Sequence, residues 1–260
     1  MINDMKVAVL ASGSSGNATV ISYGDTKLLV DAGISARRIK KALANLAIAP
    51  EDLTGVLITH EHRDHISGLT TLTKHYKIPI YTRADTFRAM YCKAMIDESC
   101  VRCIGEKFGV GNLKIEAFNI SHDAADPVGF SIYGKNIKCT IATDLGFVTS
   151  TVQQAIDNSD ILVLEANHDI DMVRNGTYPR SLKQRILSNR GHLSNNDAAW
   201  ALVRMKKQRY TRVLLAHLSE ENNSPTNVQN TIYSIMQGQG YDLETDLDIR
   251  LTKPNEAVSF

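Results

Sequence analysis

Cysteine is sparse in this chain, with four residues in 260. Cys92, Cys100, Cys103 and Cys139 are too few and too scattered to staple so long a chain, which excludes a disulfide scaffold. The pair in CVRC (100–103) has metal-ligand spacing, but no second CxxC or HxxxH completes it, and reduced thiols on a strand are the preferred reading. No apolar run approaches the roughly 20 residues that span a bilayer, which excludes a membrane-spanning role. The opening MINDMKVAVLASGSS lacks the basic stretch and apolar centre of a secretory leader, so the protein is expected to be cytoplasmic. Neither sign of charge prevails, with 29 Lys and Arg against 28 Asp and Glu. There is no repeat, low-complexity tract or linker, and residues 1–260 are expected to form a single domain.

What is present is an alternation of strand-like and helix-like runs. KVAVLA (6–11), ATVISY (18–23) and TKLLVDAG (26–33) read as strands, and SARRIKKALANLAI (35–48) as an amphipathic helix capped by Ser35. LTGVLITH (53–60) reads as a buried strand, followed by helix, the strand IPIYT and a helix over RADTFRAMYCKAMI (83–96). From 112 to 143 the connections are short and hairpin-like. The last third alternates again: strand at 160–166, helix from Ser194, strand at 211–217, helix from Pro225. Strands in both halves, each half with its helices, predict an α/β protein in which two packed sheets are covered by helices outside.

The ends of these strands carry the chemistry. LLVD ends in Asp31, VLITH in His60, FNISH in His122, CTIATD in Asp144, LVLEANH in Glu165 and His168, and VLLAH in His217. An unpaired ionisable group at the end of a buried run is costly, and one shared site at a sheet edge removes that cost for all of them. Of eight histidines, seven lie in these stretches or in GHLSN, and only His75 sits in an ordinary helix. One such histidine is more simply a satisfied imidazole; seven so distributed are not. In HEHRDH, His60 and His62 point the same way along an extended chain, while the turn that follows carries Asp64 and His65 to a neighbouring position. Two metals about 3.5–4 Å apart need such a split set and a bridging carboxylate.

With these motifs the chain resembles the metallo-β-lactamase fold family along essentially its whole length. The resemblance implies a four-layer αββα sandwich of two mixed sheets flanked by helices. It implies that His60, His62 and His122 hold one metal and Asp64, His65 and His217 the other, with Asp144 spanning both and Asp31 orienting a ligand from behind. Two divalent ions are expected, zinc or manganese, with iron also compatible with the donor set.

The branch is read from later segments. RGHLSNNDAAWAL is similar to the histidine-bearing helix start of phosphodiesterase members, so that His192 donates a proton to the leaving oxygen and Ser194 caps a helix facing the phosphate. A histidine and cap that merely start a helix would look the same. Glu165 in LEANHD resembles the carboxylate that orients such a histidine, and Asp64, His192 and Glu165 are the expected catalytic residues. His168 is a candidate phosphate contact. ASGSSGN, with Ser15 and Asn17, reads equally as an oxyanion cradle and as a plain hairpin loop. Between Arg180 and Arg212 nine basic residues stand against one acid, Asp197; this suits a polyanion, and a solvated helix face accounts for it as well. GSSGN, LEANHD, YPRSLKQRI, GHLSN and LAHLSEENNSP together resemble the WalJ/YycJ branch of the family. That implies a 5′-to-3′ exonuclease on double-stranded DNA, with attack by a hydroxide held between the metals. The sequence leaves open a small-molecule ester, thioester or cyclic-phosphodiester hydrolase, a scaffold with a structural metal, and the number of subunits.

Overall fold

Residues 4–207, 210–242 and 245–260 are described in a computed structural model of the chain. The first half of the chain lays down strands β1 (Lys6–Ala11), β2 (Ala18–Tyr23), β3 (Thr26–Val30), β4 (Gly55–Leu57), β5 (Ile80–Thr82) and β6 (Val101–Cys103). The second half lays down β7 (Lys107–Val110), β8 (Leu113–Asn119), β9 (Val128–Tyr133), β10 (Lys138–Ala142), β11 (Ile161–Glu165), β12 (Thr211–Ala216) and β13 (Leu247–Leu251), and β14 (Val258–Ser259) closes the chain. The helices are α1 (Ala36–Ala44), α2 (Arg63–Ile66), α3 (Leu69–Tyr76), α4 (Ala84–Ala89), α5 (Ser150–Ile156), α6 (Ile170–Asn175), α7 (Arg180–Ile186), α8 (Asn195–Arg204) and α9 (Pro225–Gly238).

Two sheets result, ordered β14-β1-β2-β3-β4-β5-β6 and β13-β12-β11-β10-β9-β8-β7. Each begins as an antiparallel meander and turns parallel: β3 pairs parallel with β4, and β10 parallel with β11. The strands read as continuous apolar runs because both of their faces are covered. Val7, Val9, Leu28 and Val30 face Phe130, Ile161, Val163 and Leu214 in a core between the sheets. The alternate residues Ala8, Leu10, Val20 and Leu29 pack outward on Ile39 and Leu43 of α1 and Leu69 and Leu72 of α3. On the other side Leu162, Leu164, Val213 and Leu215 pack on α5, α8 and α9. This is the helix–sheet–sheet–helix layering expected, and each aliphatic side chain so buried contributes roughly 1.5–3 kcal/mol. β14 belongs to the first sheet although it follows the second, pairing Val258 with Val9 and Ser259 with Ala8.

Two expectations are corrected. The helix expected over 83–96 stops at Ala89, and Met90 is extended with φ −59° and ψ 126°. Met90, Cys92 and Ile96 all enter the outer core, a spacing that no single helical face provides. The strand expected over 53–60 is only three residues of ladder, Gly55–Leu57, because Thr59 and His60 already turn towards the site.

Candidate metal centre and catalytic cleft

Three strand ends bend sharply where the site begins. Asp31, Asp144 and His217 follow β3, β10 and β12 with φ of 60°, 59° and 57°, in the left-handed region that costs a non-glycine residue about 1–3 kcal/mol. The bend turns each side chain off the sheet face and towards the gap between the sheets.

One group of donors is made of imidazoles. His60 Nε2 and His122 Nε2 lie 3.0 Å and 3.2 Å from His62 Nδ1. A neutral imidazole has one donor and one acceptor nitrogen, so three ring nitrogens converging on one point cannot all satisfy one another; a cation satisfies them together. His122 donates from Nδ1 to the Gly191 carbonyl at 3.2 Å, which leaves its Nε2 lone pair facing the group. Burial, then the neighbouring His65, His122 and His62, push His60 well below the usual imidazole range. Burial also lowers His122.

The second group lies beside it. His65 Nε2 stands 3.5 Å from Asp64 Oδ2 and 3.3 Å from Asp144 Oδ2, and His217 Nε2 is 3.9 Å from Asp64 Oδ2. Asp144 Oδ2 and His217 Nε2 are buried without a hydrogen-bond partner, the condition of ligand atoms waiting for an ion. Asp144 also reaches the first group, with Oδ1 4.0 Å from His122 Nε2, so its carboxylate lies between the two. Burial opposes charge on His65, yet Asp144 and Asp31 outweigh it and raise the imidazole. His217, also opposed by burial, is raised to about 9 by Asp144 and Glu165. For Asp64, hydrogen bonding and charge from His65 overcome burial and hold the carboxyl well below the carboxylate range. The donor set fits two divalent cations. His60, His62, Asp64 and His65 hang on the first sheet, and His122, Asp144 and His217 on the second, so each group draws on both halves of the chain.

Behind these residues the supports are complete. Asp31 accepts from Thr59 N at 2.9 Å, from Thr59 Oγ1 at 2.8 Å and from His65 Nδ1 at 2.8 Å. Glu165 is fully buried: Oε1 accepts from Nδ1 of both His192 and His217 at 2.9 Å, and Oε2 from Leu145 N at 2.7 Å and Leu193 N at 3.2 Å. The charges of those histidines and the hydrogen bonds hold its carboxyl far below its usual range against the opposing effect of burial. Glu165, His192 and His217, with Asp144, also lie close enough to form a third donor group, but the hydrogen bonds already occupy Glu165. With Nδ1 on Glu165, His192 presents Nε2 to the cleft.

The cleft has a volume of about 180 Å³ and is lined by Ser14, His62, Asp64, His122, Asp144, Arg185, His192 and His217. A larger depression of about 480 Å³, with Met5, Leu46, Arg212 and Phe260 among its walls, holds none of the convergent donors. Arg185 grips Asp123 with Nε at 2.6 Å from Oδ2 and NH2 at 3.1 Å from Oδ1, beside His122.

Four residues expected to contact substrate are not among those that line the cleft. Asn17 stands against the second donor group, with Nδ2 3.3 Å from Asp64 Oδ2 and 3.1 Å from His65 Nε2 and Oδ1 accepting from Gly13 N. Ser15 is exposed on the loop, and it is its neighbour Ser14 that lines the cleft. Ser194 caps α8 as expected, accepting from Asp197 N at 3.1 Å and donating to Asp197 Oδ2 at 2.6 Å; it is 3% exposed and has no free valence for a phosphate. His168 is buried, and both ring nitrogens are enclosed without a partner, so it is not a surface contact; burial lowers its pKa to about 4. The basic 180–212 segment is not one face. Arg185 lines the cleft and Arg190 donates to the His122 carbonyl, but Arg212 stands at the opposite end of β12 from His217, and Arg209 lies outside the described residues. The sequence reading missed Ser14, Thr59 and the role of Glu61, whose Oε1 accepts from Ala125 N at 2.8 Å and ties down the loop after His122.

Residues 26–218 match the model of the β-lactamase superfamily domain. The chain belongs to the metallo-β-lactamase superfamily. Within that superfamily it is 35% identical over 250 residues to exodeoxyribonuclease YycJ of Bacillus anthracis, covering 95% of each chain. It is 37% identical over 258 residues to exodeoxyribonuclease WalJ of Streptococcus pneumoniae, covering 97% of this chain and 96% of the other. Zinc-bound PqqB of Methylobacterium extorquens shares the metallo-β-lactamase fold with a TM-score of 0.72 at 16% identity, over 98% of this chain and 99% of the other. Among the described residues, no helix is long and apolar enough to cross a membrane.

Proposed function

We propose that this chain is a two-metal phosphodiesterase, a 5′-to-3′ exonuclease on double-stranded DNA that works as one catalytic unit in the cytoplasm. The observation that carries the reading is the pairing of two adjacent donor groups with His192, held through Nδ1 by Glu165 at 2.9 Å. The names of the WalJ and YycJ relatives supply the DNA, and four cysteines standing as free thiols support the compartment.

His60, His62 and His122 would hold one cation, Asp64, His65 and His217 the other, and Asp144 both, with Asp31 fixing His65 from behind. Divalent cations there supply Lewis acidity against the phosphoryl oxygens and acidify water; the imidazole-rich set suits zinc, and manganese or iron also accept it. Arg185, on the cleft wall, offers a guanidinium to a phosphate. In its doubly protonated form His192 gives the Nε2 proton to the oxygen that leaves phosphorus, and Glu165, accepting from Nδ1, holds the ring in place for the transfer.

The test is digestion of end-labelled duplexes bearing 5′-phosphate or 5′-hydroxyl, with Zn²⁺ or Mn²⁺ supplied. Progressive shortening from the 5′ end, lost in Asp144→Ala and weakened steeply by salt, is the expected result. Cleavage of a thioester with no shortening of DNA or RNA would overturn it.

A further inference from the structure

Arg63 stands between two residues of the cleft wall, His62 and Asp64, and its own side chain is exposed. Its guanidinium carbon lies 5.7 Å from the ring centroid of Tyr91, and the Tyr91 side chain is 57% exposed. The exposure is built in. Where α4 stops, the extended backbone at Met90 sends Met90 and Cys92 into the outer core, each 1% exposed, and leaves Tyr91 between them facing solvent. Met95, from the next turn, is 59% exposed as well.

We propose that Tyr91, backed by Arg63, is a stacking platform for a nucleobase of the strand that enters the cleft. The proposal deepens the nuclease reading and rests on it. An open aromatic ring attracts any base through its π face, whereas an arginine beside it adds a cation–π contact and a charge for the neighbouring phosphate. Arg63 is one residue from two cleft residues, so at about 3.4 Å per stacked nucleotide the platform falls within a few nucleotides of the reacting phosphate. It would grip without reading sequence, as an exonuclease that degrades any end requires.

The experiment compares Tyr91→Ala, Tyr91→Phe and Tyr210→Ala on duplexes of mixed sequence. Tyr210 is 46% exposed next to the start of β12, far from the cleft, and serves as the matched control. Tyr91→Ala is expected to raise KM roughly 5- to 100-fold, as loss of one stacked base does, while Tyr91→Phe and Tyr210→Ala stay near wild type and all three melt alike. Abasic sites introduced one at a time near the 5′ end should cost the wild type the same factor at one position and cost Tyr91→Ala nothing further there. A wild-type KM for Tyr91→Ala, or abasic losses that add in full to the mutation, would overturn the platform and leave the nuclease reading intact. If the wild type shortens no DNA at all, both readings fall.

Discussion

At the scale of single residues, Glu165 does the most with one side chain. Its four hydrogen-bond partners are all N–H groups, so a carboxamide in its place would turn an amide donor against at least one of them. Glu165→Gln is expected to lower kcat on duplex DNA by about 10²–10⁴-fold, the usual worth of a positioned general acid, and, because Glu165 also holds the ligand His217 through Nδ1, to weaken metal binding by about 10–100-fold, so kcat is compared at saturating metal. Unchanged turnover would remove His192 from the proposed chemistry. His168 sets a pH response of the fold. Its imidazole is held at about 4 by burial, whereas the unfolded value is near 6.5. Between those values the unfolded chain takes up the proton and the folded one does not, so stability falls as pH drops from about 6.5 to about 4. Urea titrations of the metal-free protein at pH 7 and pH 5 should show the loss, of the order of 1–2 kcal/mol by that linkage, and His168→Gln should flatten its share. An unaltered slope in the variant would argue against a neutral buried His168. The metal motif and Asp31 were legible as residues because strand ends fix where their side chains go. Ser194 was legible as the cap of α8, whereas the surroundings of Ser15, Asn17 and His168 were not, since they depend on turns that a run of letters does not specify.

At the scale of elements, three loops are sewn together behind the second donor group. Asn17 N donates to the Asp64 carbonyl, Gly33 N to the Asn17 carbonyl, and Ala32 N to the His65 carbonyl, each at 2.8 Å. Gly33 is the reason they fit: a Cβ there would come 1.5 Å from the Asp64 carbonyl oxygen. Gly33→Ala is expected to push α2 off the site, lowering the melting temperature and weakening metal binding more than tenfold, as read by competition with a chelating dye. A variant that binds metal as the wild type does would show that the α2 turn tolerates displacement. Most strands were legible from their apolar runs, and α1, α8 and α9 from period and caps. The short β7, β13 and β14 were not, because polar, half-exposed edge strands leave little pattern, and α4 broke where three buried residues could not share one helical face.

At the scale of the whole molecule, the sandwich was readable because each strand alternates between two buried faces, which requires two sheets and two outer layers of helix. The partition of the basic residues was not readable, because neighbours in sequence are carried to opposite ends of β12. The division of the donors between the sheets has a mechanical meaning. An ion held from both sides is a cross-link between two half-proteins that also meet through their apolar inner faces, the β14 clasp and hydrogen bonds such as Ala125 N to Glu61 and His217 N to Ser12 Oγ. Cut between β6 and β7, the chain yields two fragments, each with an incomplete set of ligands. Mixing them should restore DNA digestion at a rate second order in fragment concentration, and only with a divalent cation present; recovery that ignores the cation would mean that packing alone holds the sheets in register. The centre would then serve as the fold's own fastener as well as its chemistry.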